Sequence, residues 1–209
     1  MQPDAVIFDY GKVLSTPQQP SDMDAMARAA GIAATVMHDL YWKYRAAFDR
    51  DDISTEKYWT TIADESGISL ANVTMEELIR LDNESWSRPD PVAVGWARDI
   101  RKQGIRTSIL SNMPITLRRH LTENVLWLRD FEAPVWSCDV NAIKPEPAIY
   151  WHVLKGLGVE PDRALFMDDK RENVEGARAI GMHAILFESP AQAWAEMRGQ
   201  YKLPPPPSA

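Results

Sequence analysis

The sequence predicts an α/β protein built on a doubly wound parallel sheet, with a helical segment inserted into it. Three observations predict this class. Short, almost continuous apolar runs recur along the chain, as expected of strands covered on both faces. Amphipathic stretches with helix start and stop signals separate the later runs. The interval after the first run shows helical periodicity only, which a regular strand–helix alternation does not produce.

The expected strands are Ala5–Phe8, Thr107–Leu110, Pro134–Ser137, Ala164–Met167 and Ala184–Phe187. A helix should start at Asp90 as N-cap with Pro91 in its first turn, bury Val92, Trp96 and Ile100, and stop at Gly104. Another begins near Pro147 and carries Ile149, Val153 and Leu157 on one side. A third spans roughly Glu172–Ile180, packs Val174 and Ala177, and ends at Gly181. Within the insertion, Ser21-Asp22 opens a helix bearing Ala25, Met26 and Ala29. Tyr41, Tyr44 and Phe48 form an i, i+3, i+7 stripe expected to fill a small core of its own. Ser54 opens a further helix, and Thr74 with Glu77 reads as the capping box of a fourth. The expected organisation is a core of residues 1–15 and 90–209 with a cap of residues 16–89. Four consecutive prolines predict that residues 203–209 form an extended, mobile tail.

Charge removes several classes of function. Among 209 residues there are 23 Lys+Arg against 30 Asp+Glu, a net charge of −7. Neutralising phosphates takes a basic surface, so a nucleic-acid partner is not expected. Anionic lipid heads would repel the chain, and its apolar runs fall far short of the ~20 residues of a spanning helix, so no membrane partner is expected either. The start, Met-Gln-Pro-Asp, lacks the regions of a signal peptide, and a cytoplasmic location is expected. Cys138 is the single cysteine, which precludes an intrachain disulfide and reads as a buried structural thiol. His38, His120, His152 and His183 lack ligand spacing, and His152 is expected in the core. Eight tryptophans are spread along the chain. A monomer or homodimer is expected. An acidic chain that handles an anionic substrate must reverse the sign of charge locally.

The strand ends hold the means to do so. The first run leads into Asp9-Tyr10-Gly11, the second into Ser111-Asn112, and the fourth into Asp168-Asp169. Lys144, in Lys144-Pro145-Glu146-Pro147, follows the third. Ligands of open α/β sheets bind outside the carboxyl ends of the strands, so these groups should share one crevice. Three neighbouring carboxylates repel one another and call for a cation. An all-oxygen donor set, with no His or Cys cluster, favours Mg²⁺ over zinc. With Lys144 such a cation would neutralise a phosphoryl group, and Asp9 could attack phosphorus as a carboxylate nucleophile. Asp168-Asp169 also suits a helix N-terminus, which accounts for one carboxylate better than two. Ser111 can act as a helix N-cap and a phosphate ligand at once. Lys12, directly after the nucleophile loop, is a candidate substrate contact.

In order along the chain, Val6-Ile7-Phe8-Asp9-Tyr10-Gly11-Lys12-Val13, Ser111-Asn112, Lys144-Pro145 and Asp168-Asp169 with Asn173 resemble the four motifs of the haloacid dehalogenase (HAD) superfamily. The resemblance spans essentially the whole chain. The stretch Lys144–Tyr150 and the insertion after the first motif resemble the sugar-phosphatase-like and epoxide-hydrolase N-terminal branches. This implies a Rossmann-like core with a C1-type helical cap, a Mg²⁺ cofactor and a small phosphorylated substrate, a sugar phosphate being favoured, hydrolysed through an aspartyl-phosphate. By the same resemblance Asp9 is nucleophile and metal ligand, the Gly11 carbonyl a further ligand, and Asp169 the direct ligand from the fourth motif with Asp168 beside it. Ser111 and the Asn112 amide hold phosphoryl oxygens, and Lys144 stabilises the charge of the intermediate. One departure matters: most HAD phosphatases carry a second Asp where this chain has Gly11, and that Asp protonates the leaving group. General acid catalysis is worth ~10²–10⁴-fold, so the sequence implies a good leaving group such as an anomeric phosphate, or protonation by water or a cap residue. A 2-haloacid dehalogenase is the alternative that shares the nucleophile and needs no metal; the Asp168-Asp169 pair opposes it. A catalytically weak HAD fold retained for binding is the other, with Gly11 its only support.

Overall fold

The structure is a computed structural model and describes residues 2–207. In chain order the first half runs β1 (Ala5–Phe8), α1 (Pro20–Ala30), α2 (Ala34–Arg50), α3 (Thr55–Glu65), α4 (Asn72–Ser85), α5 (Pro91–Lys102) and β2 (Arg106–Ser111). It continues with α6 (Ile115–Asn124), β3 (Val135–Trp136), α7 (Ser137–Val140), α8 (Pro147–Leu157), β4 (Ala164–Asp168), α9 (Arg171–Ala179), β5 (His183–Leu186) and α10 (Pro190–Met197).

The strands form one parallel sheet in the order β3-β2-β1-β4-β5. β1 lies at its centre and is buried throughout. Val6 and Phe8 pack into the cluster that holds Trp96 of α5, Leu121 of α6 and Met197 of α10. Ala5 and Ile7 point the other way, to Ile149 and Val153 of α8 and Val174 of α9. Two-sided burial is the reason this run is apolar at every position. From β1 the chain builds outward through β2 and β3, then returns to place β4 on the other side of β1. The order therefore reverses between β1 and β4, and a crevice opens beyond their carboxyl ends.

Several boundaries differ from expectation, each for a local reason. β3 is confined to Val135–Trp136 because Ser137 already starts α7. α4 starts at Asn72, so Thr74 and Glu77 lie inside the helix; the Thr74 amide already donates to the Ala71 carbonyl at 3.0 Å. α1 starts at Pro20, where Gln19 and Asp22, not Ser21, make the reciprocal cap. Asp90 caps α5 as read, accepting from the Val92 and Ala93 amides at 2.9 and 3.0 Å. His152 is exposed rather than in the core, because α8 buries the opposite face. Residues 203–207 do not run free: the Trp96 indole donates to the Pro204 carbonyl at 2.8 Å, and Leu203 packs on the core. Proline lacks an N–H but keeps its carbonyl, and a buried indole N–H needs an acceptor. Residues 208 and 209 lie outside the described part.

Helices α1–α4 gather around a cluster of their own, with Met26, Tyr41, Phe48, Tyr58 and Trp59 buried. Tyr41 and Phe48 of the aromatic stripe are buried there, while Tyr44 is half-buried and donates to Glu65. The two connections to the sheet run side by side, Thr16 N–H donating to the Arg88 carbonyl and Asp90 N–H to the Leu14 carbonyl, both at 2.8 Å. The end of α2 also touches the core. Ser137 Oγ donates to the Asp49 carbonyl at 2.5 Å, and Asn141 Nδ2 to the Arg50 carbonyl at 2.9 Å.

Candidate active site

Strand register assembles the site. Phe8 lies opposite Met167, so Asp9, one residue on, comes level with Asp168 at the end of β4. On the other side Phe8 lies opposite Ile109, which brings the end of β2 and Ser111 to the same edge. Asp9 Oδ1 accepts from the Tyr10 amide at 2.7 Å and lies 2.8 Å from Lys144 Nζ. Lys144 is buried and spends its other protons on Asp168 Oδ2 at 2.6 Å and the Leu110 carbonyl at 2.9 Å. One ammonium thus ties together the ends of β1, β2 and β4.

The acidic pair at the end of β4 divides in environment. Asp168 is fully buried, and both its oxygens are engaged: Asn173 Nδ2 donates to Oδ1 and Oδ2 at 2.9 and 3.1 Å, and the Lys170 amide to Oδ1 at 2.8 Å. Asp169 is half-buried, and its Oδ2 lies 3.2 Å from Lys12 Nζ. Asp9, Asp168 and Asp169 each present an oxygen, all within 4.8 Å of one another. Such a set suits a hard divalent cation, since its only donors are carboxylate oxygens and close like charges need a counter-ion.

Electrostatics point the same way. Burial pushes the Asp9 carboxyl up to about 7, with Asp168 and Asp169 adding to the rise and Lys144 opposing it. Burial alone would drive the Lys144 ammonium down, but the carboxylates of Asp168 and Asp9 outweigh it and hold its pKa above the usual value. Asp9 therefore gives up its proton less readily than an ordinary carboxyl, and a further cation would favour its ionised form.

Neighbouring residues hold these groups in place. The Asn112 side chain clasps the Lys144 backbone, donating to its carbonyl at 3.1 Å and accepting from its N–H at 2.9 Å. That leaves the backbone N–H of Asn112, not its side chain, as the group for a ligand. Gly176 of α9 packs so tightly on this loop that a Cβ would stand 2.8 Å from Pro145. Gly11 has an ordinary φ of −66°. A Cβ there would touch the Trp86 ring at 3.4 Å, an ordinary contact, so the position lies against the indole.

A cavity of about 260 Å³ joins these residues. Asp9, Gly11, Lys12, Ser111, Asn112, Lys144 and Asp169 form its floor, with Asp168 buried beneath. The insertion supplies the facing wall through Trp42, Arg45, Asp49 and Trp86, and Met113 and Leu117 complete it. The wall residues escape a reading of the sequence. Trp42 is a lone aromatic beside a core stripe, and Arg45 and Asp49 look like an ordinary i, i+4 surface pair. Cys138 stands apart from the site; burial pushes its thiol up to about 12, as befits a structural residue. Among the described residues no helix is long and apolar enough to cross a membrane.

The parallel sheet reverses at a crevice lined by carboxylates and a lysine, as in open α/β enzymes that bind ligands at a switch point. The chain belongs to the haloacid dehalogenase-like hydrolases, whose family model matches residues 3–181. It is 26% identical over 194 residues to Phosphatase MT3486 of Mycobacterium tuberculosis, covering 90% of this chain and 88% of that one. It is likewise 26% identical over 194 residues to the sesquiterpene phosphatase astK of Aspergillus oryzae, covering 93% and 94% respectively. Its fold is similar to that of a HAD family enzyme from Bacteroides thetaiotaomicron in complex with magnesium and inorganic phosphate, with a TM-score of 0.69 and 16% identity over 87% of this chain and 92% of that one.

Proposed function

We propose that this chain is a Mg²⁺-dependent phosphomonoesterase acting on a small phosphorylated metabolite through an aspartyl-phosphate on Asp9. The observation that carries the reading is Asp9 at the carboxyl end of β1, 2.8 Å from Lys144 Nζ and clustered with Asp168 and Asp169. Two relatives named as phosphatases and a fold neighbour holding magnesium and phosphate support it. In this reading residues 16–89 serve as a cap that closes the crevice and selects the substrate.

Asp9, Asp169 and the Gly11 carbonyl would hold the cation, with Asp168 beside them fixing Lys144. Bound Mg²⁺ would neutralise the clustered carboxylates and the incoming phosphoryl oxygens. Asp9 Oδ1 is held by Lys144 and Tyr10 N–H, which orients the other oxygen for in-line attack. Ser111 and the Asn112 N–H bind phosphoryl oxygens, and Lys144 offsets the charge of the phosphorylated carboxylate. Lys12, beside Asp169, is placed to contact substrate. Trp42 and Trp86 line the cavity and supply apolar surface for the organic part. A sugar phosphate is favoured, because Lys144–Tyr150 and the insertion after the first motif resemble the sugar-phosphatase-like branch. A cytoplasmic location completes the reading.

Phosphate release from a panel of sugar and nucleotide phosphates, with and without EDTA, tests it. Wild type should release phosphate only with Mg²⁺, and Asp9→Asn should not release it. Equal release by both proteins would sink the mechanism. Activity towards 2-haloacids that survives EDTA would replace it with the dehalogenase reading.

A further inference from the structure

The proposed reaction needs a proton for the leaving oxygen, and the residue at position 11 has none to give. We infer that Asp49, on α2 of the insertion, is the acid that protonates the leaving oxygen and the base that then activates water; the inference rests on the phosphatase reading.

Position comes first. Asp49 lines the same cavity as Asp9 and belongs to the insertion, whereas Asp9 belongs to the sheet. Arg45, one turn earlier, donates from Nε to Asp49 Oδ1 at 2.7 Å and anchors that oxygen. The Asp49 carbonyl accepts from Ser137 Oγ at 2.5 Å, and that hydroxyl accepts from the Met113 amide at 2.9 Å. Met113 directly follows Ser111-Asn112. The backbone at Asp49 is thereby tied to the loop proposed to hold the phosphoryl group.

Charge comes second. Asp49 and Asp82 of α4 are both buried, and Arg45 is the cation bonded to them. Two carboxylates and one guanidinium leave one negative charge in excess, and a single proton neutralises the group. Asp82 accepts from Tyr41 Oη at 2.6 Å and does not reach the cavity, so Asp49 is the member able to exchange that proton with a ligand. Burial holds the Asp49 carboxyl above its usual range, with Asp82 adding to the rise and Arg45 and Lys170 opposing it. The groups facing it are Arg45 and Tyr41 of its own helix, Asp82 of α4, Tyr58 of α3 and Lys170 of the core. The other donors are less suited. Lys12 is paired with Asp169, the Tyr10 hydroxyl donates to the Trp86 carbonyl at 2.9 Å, and Glu172 stands exposed.

The steps balance. An Asp9 carboxylate oxygen bonds to phosphorus as the P–O bond to the alcohol breaks, and its electron pair leaves on the alcohol oxygen. That oxygen takes the proton of Asp49, giving free alcohol, aspartyl-phosphate and an Asp49 carboxylate. A water then gives a proton back to Asp49 as its oxygen bonds to phosphorus, and the P–O bond to Asp9 breaks to restore both carboxyls and release phosphate.

Leaving-group dependence tests this with Mg²⁺ present. In the wild type, kcat/KM should change little between alkyl phosphates and p-nitrophenyl phosphate, whose leaving group needs no proton; a steep dependence overturns the inference. In Asp49→Asn the ratio of kcat/KM for an alkyl phosphate to that for p-nitrophenyl phosphate should fall about 10²-fold. Asp49→Glu, which keeps an acid, should restore part of it. An equal fall for both substrates would mark Asp49 as structural and overturn the proposal. If Asp49→Asn fails to fold, Asp49→Ser carries the same comparison, and a ratio unchanged from wild type would overturn the assignment. No phosphate release from any ester by wild type would overturn the phosphatase reading itself, and this one with it.

Discussion

The carboxyl ends of β1 and β4 and the facing surface of α2 and α4 each bury more carboxylates than cations, yet they resolve the excess differently. In the core, Asp9, Asp168 and Asp169 are met by Lys144 within and Lys12 at the rim, and the oxygens converge on a space that suits a metal ion. In the insertion, Asp49 and Asp82 share Arg45, and the Tyr41 hydroxyl, itself accepting from the Trp86 indole at 3.0 Å, donates to Asp82. Those oxygens face a guanidinium and a phenol instead of converging on a gap. The same electrostatic surplus favours cation binding where carboxylates converge and proton binding where they are held apart.

Asp9→Asn should have the largest effect, lowering phosphate release on the order of 10³-fold or more. Its thermal unfolding midpoint should match or exceed that of wild type, since one like charge leaves the core. A loss of both activity and folding would show that Asp9 is needed for structure.

Lys144→Met and Arg45→Met separate the two clusters directly. Each strands buried carboxylates and should cost roughly 3–5 kcal/mol in denaturant unfolding. Mg²⁺ should restore much of the loss in Lys144→Met, and mildly acidic pH, not Mg²⁺, should restore it in Arg45→Met. Equal rescue by Mg²⁺ would erase the distinction.

Asp9, whose pKa rises from the usual 3.8 to about 7, contributes a distinct part of the pH dependence of the metal-free protein. Between those values the folded state holds a proton that the unfolded chain has released. Its contribution to stability therefore falls as pH rises through this window and levels off above about 7. Mg²⁺ must displace that proton, so the stabilisation it confers should be greater at mildly alkaline than at mildly acidic pH. Calorimetry of wild type and Asp9→Asn checks this, because the variant should lose the Asp9 part of the slope.

Gly176→Ala probes the packing behind Lys144. Its Cβ would stand 2.8 Å from Pro145, and the overlap should cost about 1–3 kcal/mol and lower kcat through a shifted Lys144. Trp96→Phe should leave turnover unchanged and cost about 2 kcal/mol, from the lost bond to Pro204 and the gap left by the smaller ring.

The core site was legible because parallel strands are short, apolar and end abruptly in polar residues. Asp9, Ser111, Lys144 and Asp168-Asp169 stand out against their strands, and the sheet brings such ends to one edge. The wall of the insertion was not legible. Arg45 and Asp49 lie four residues apart on α2, a spacing common on exposed helices, and Asp82 and Trp86 join them from more than thirty positions away. The tail misled for a related reason: proline composition describes the free chain, while the Trp96 indole that captures Pro204 lies 108 positions earlier.

By itself the sequence determined the α/β class, the order of the strands along the chain and the groups at their ends, because two-sided burial and helix caps are written in neighbouring residues. Only the tertiary structure decided that Asp168 is buried beneath the cavity to hold Lys144 while Asp169 borders it. It also brought Trp86 against Gly11 and Asp49 into the cavity that Asp9 lines. Those relations depend on how helices pack onto strands, and packing is set by contacts between residues that no local pattern links.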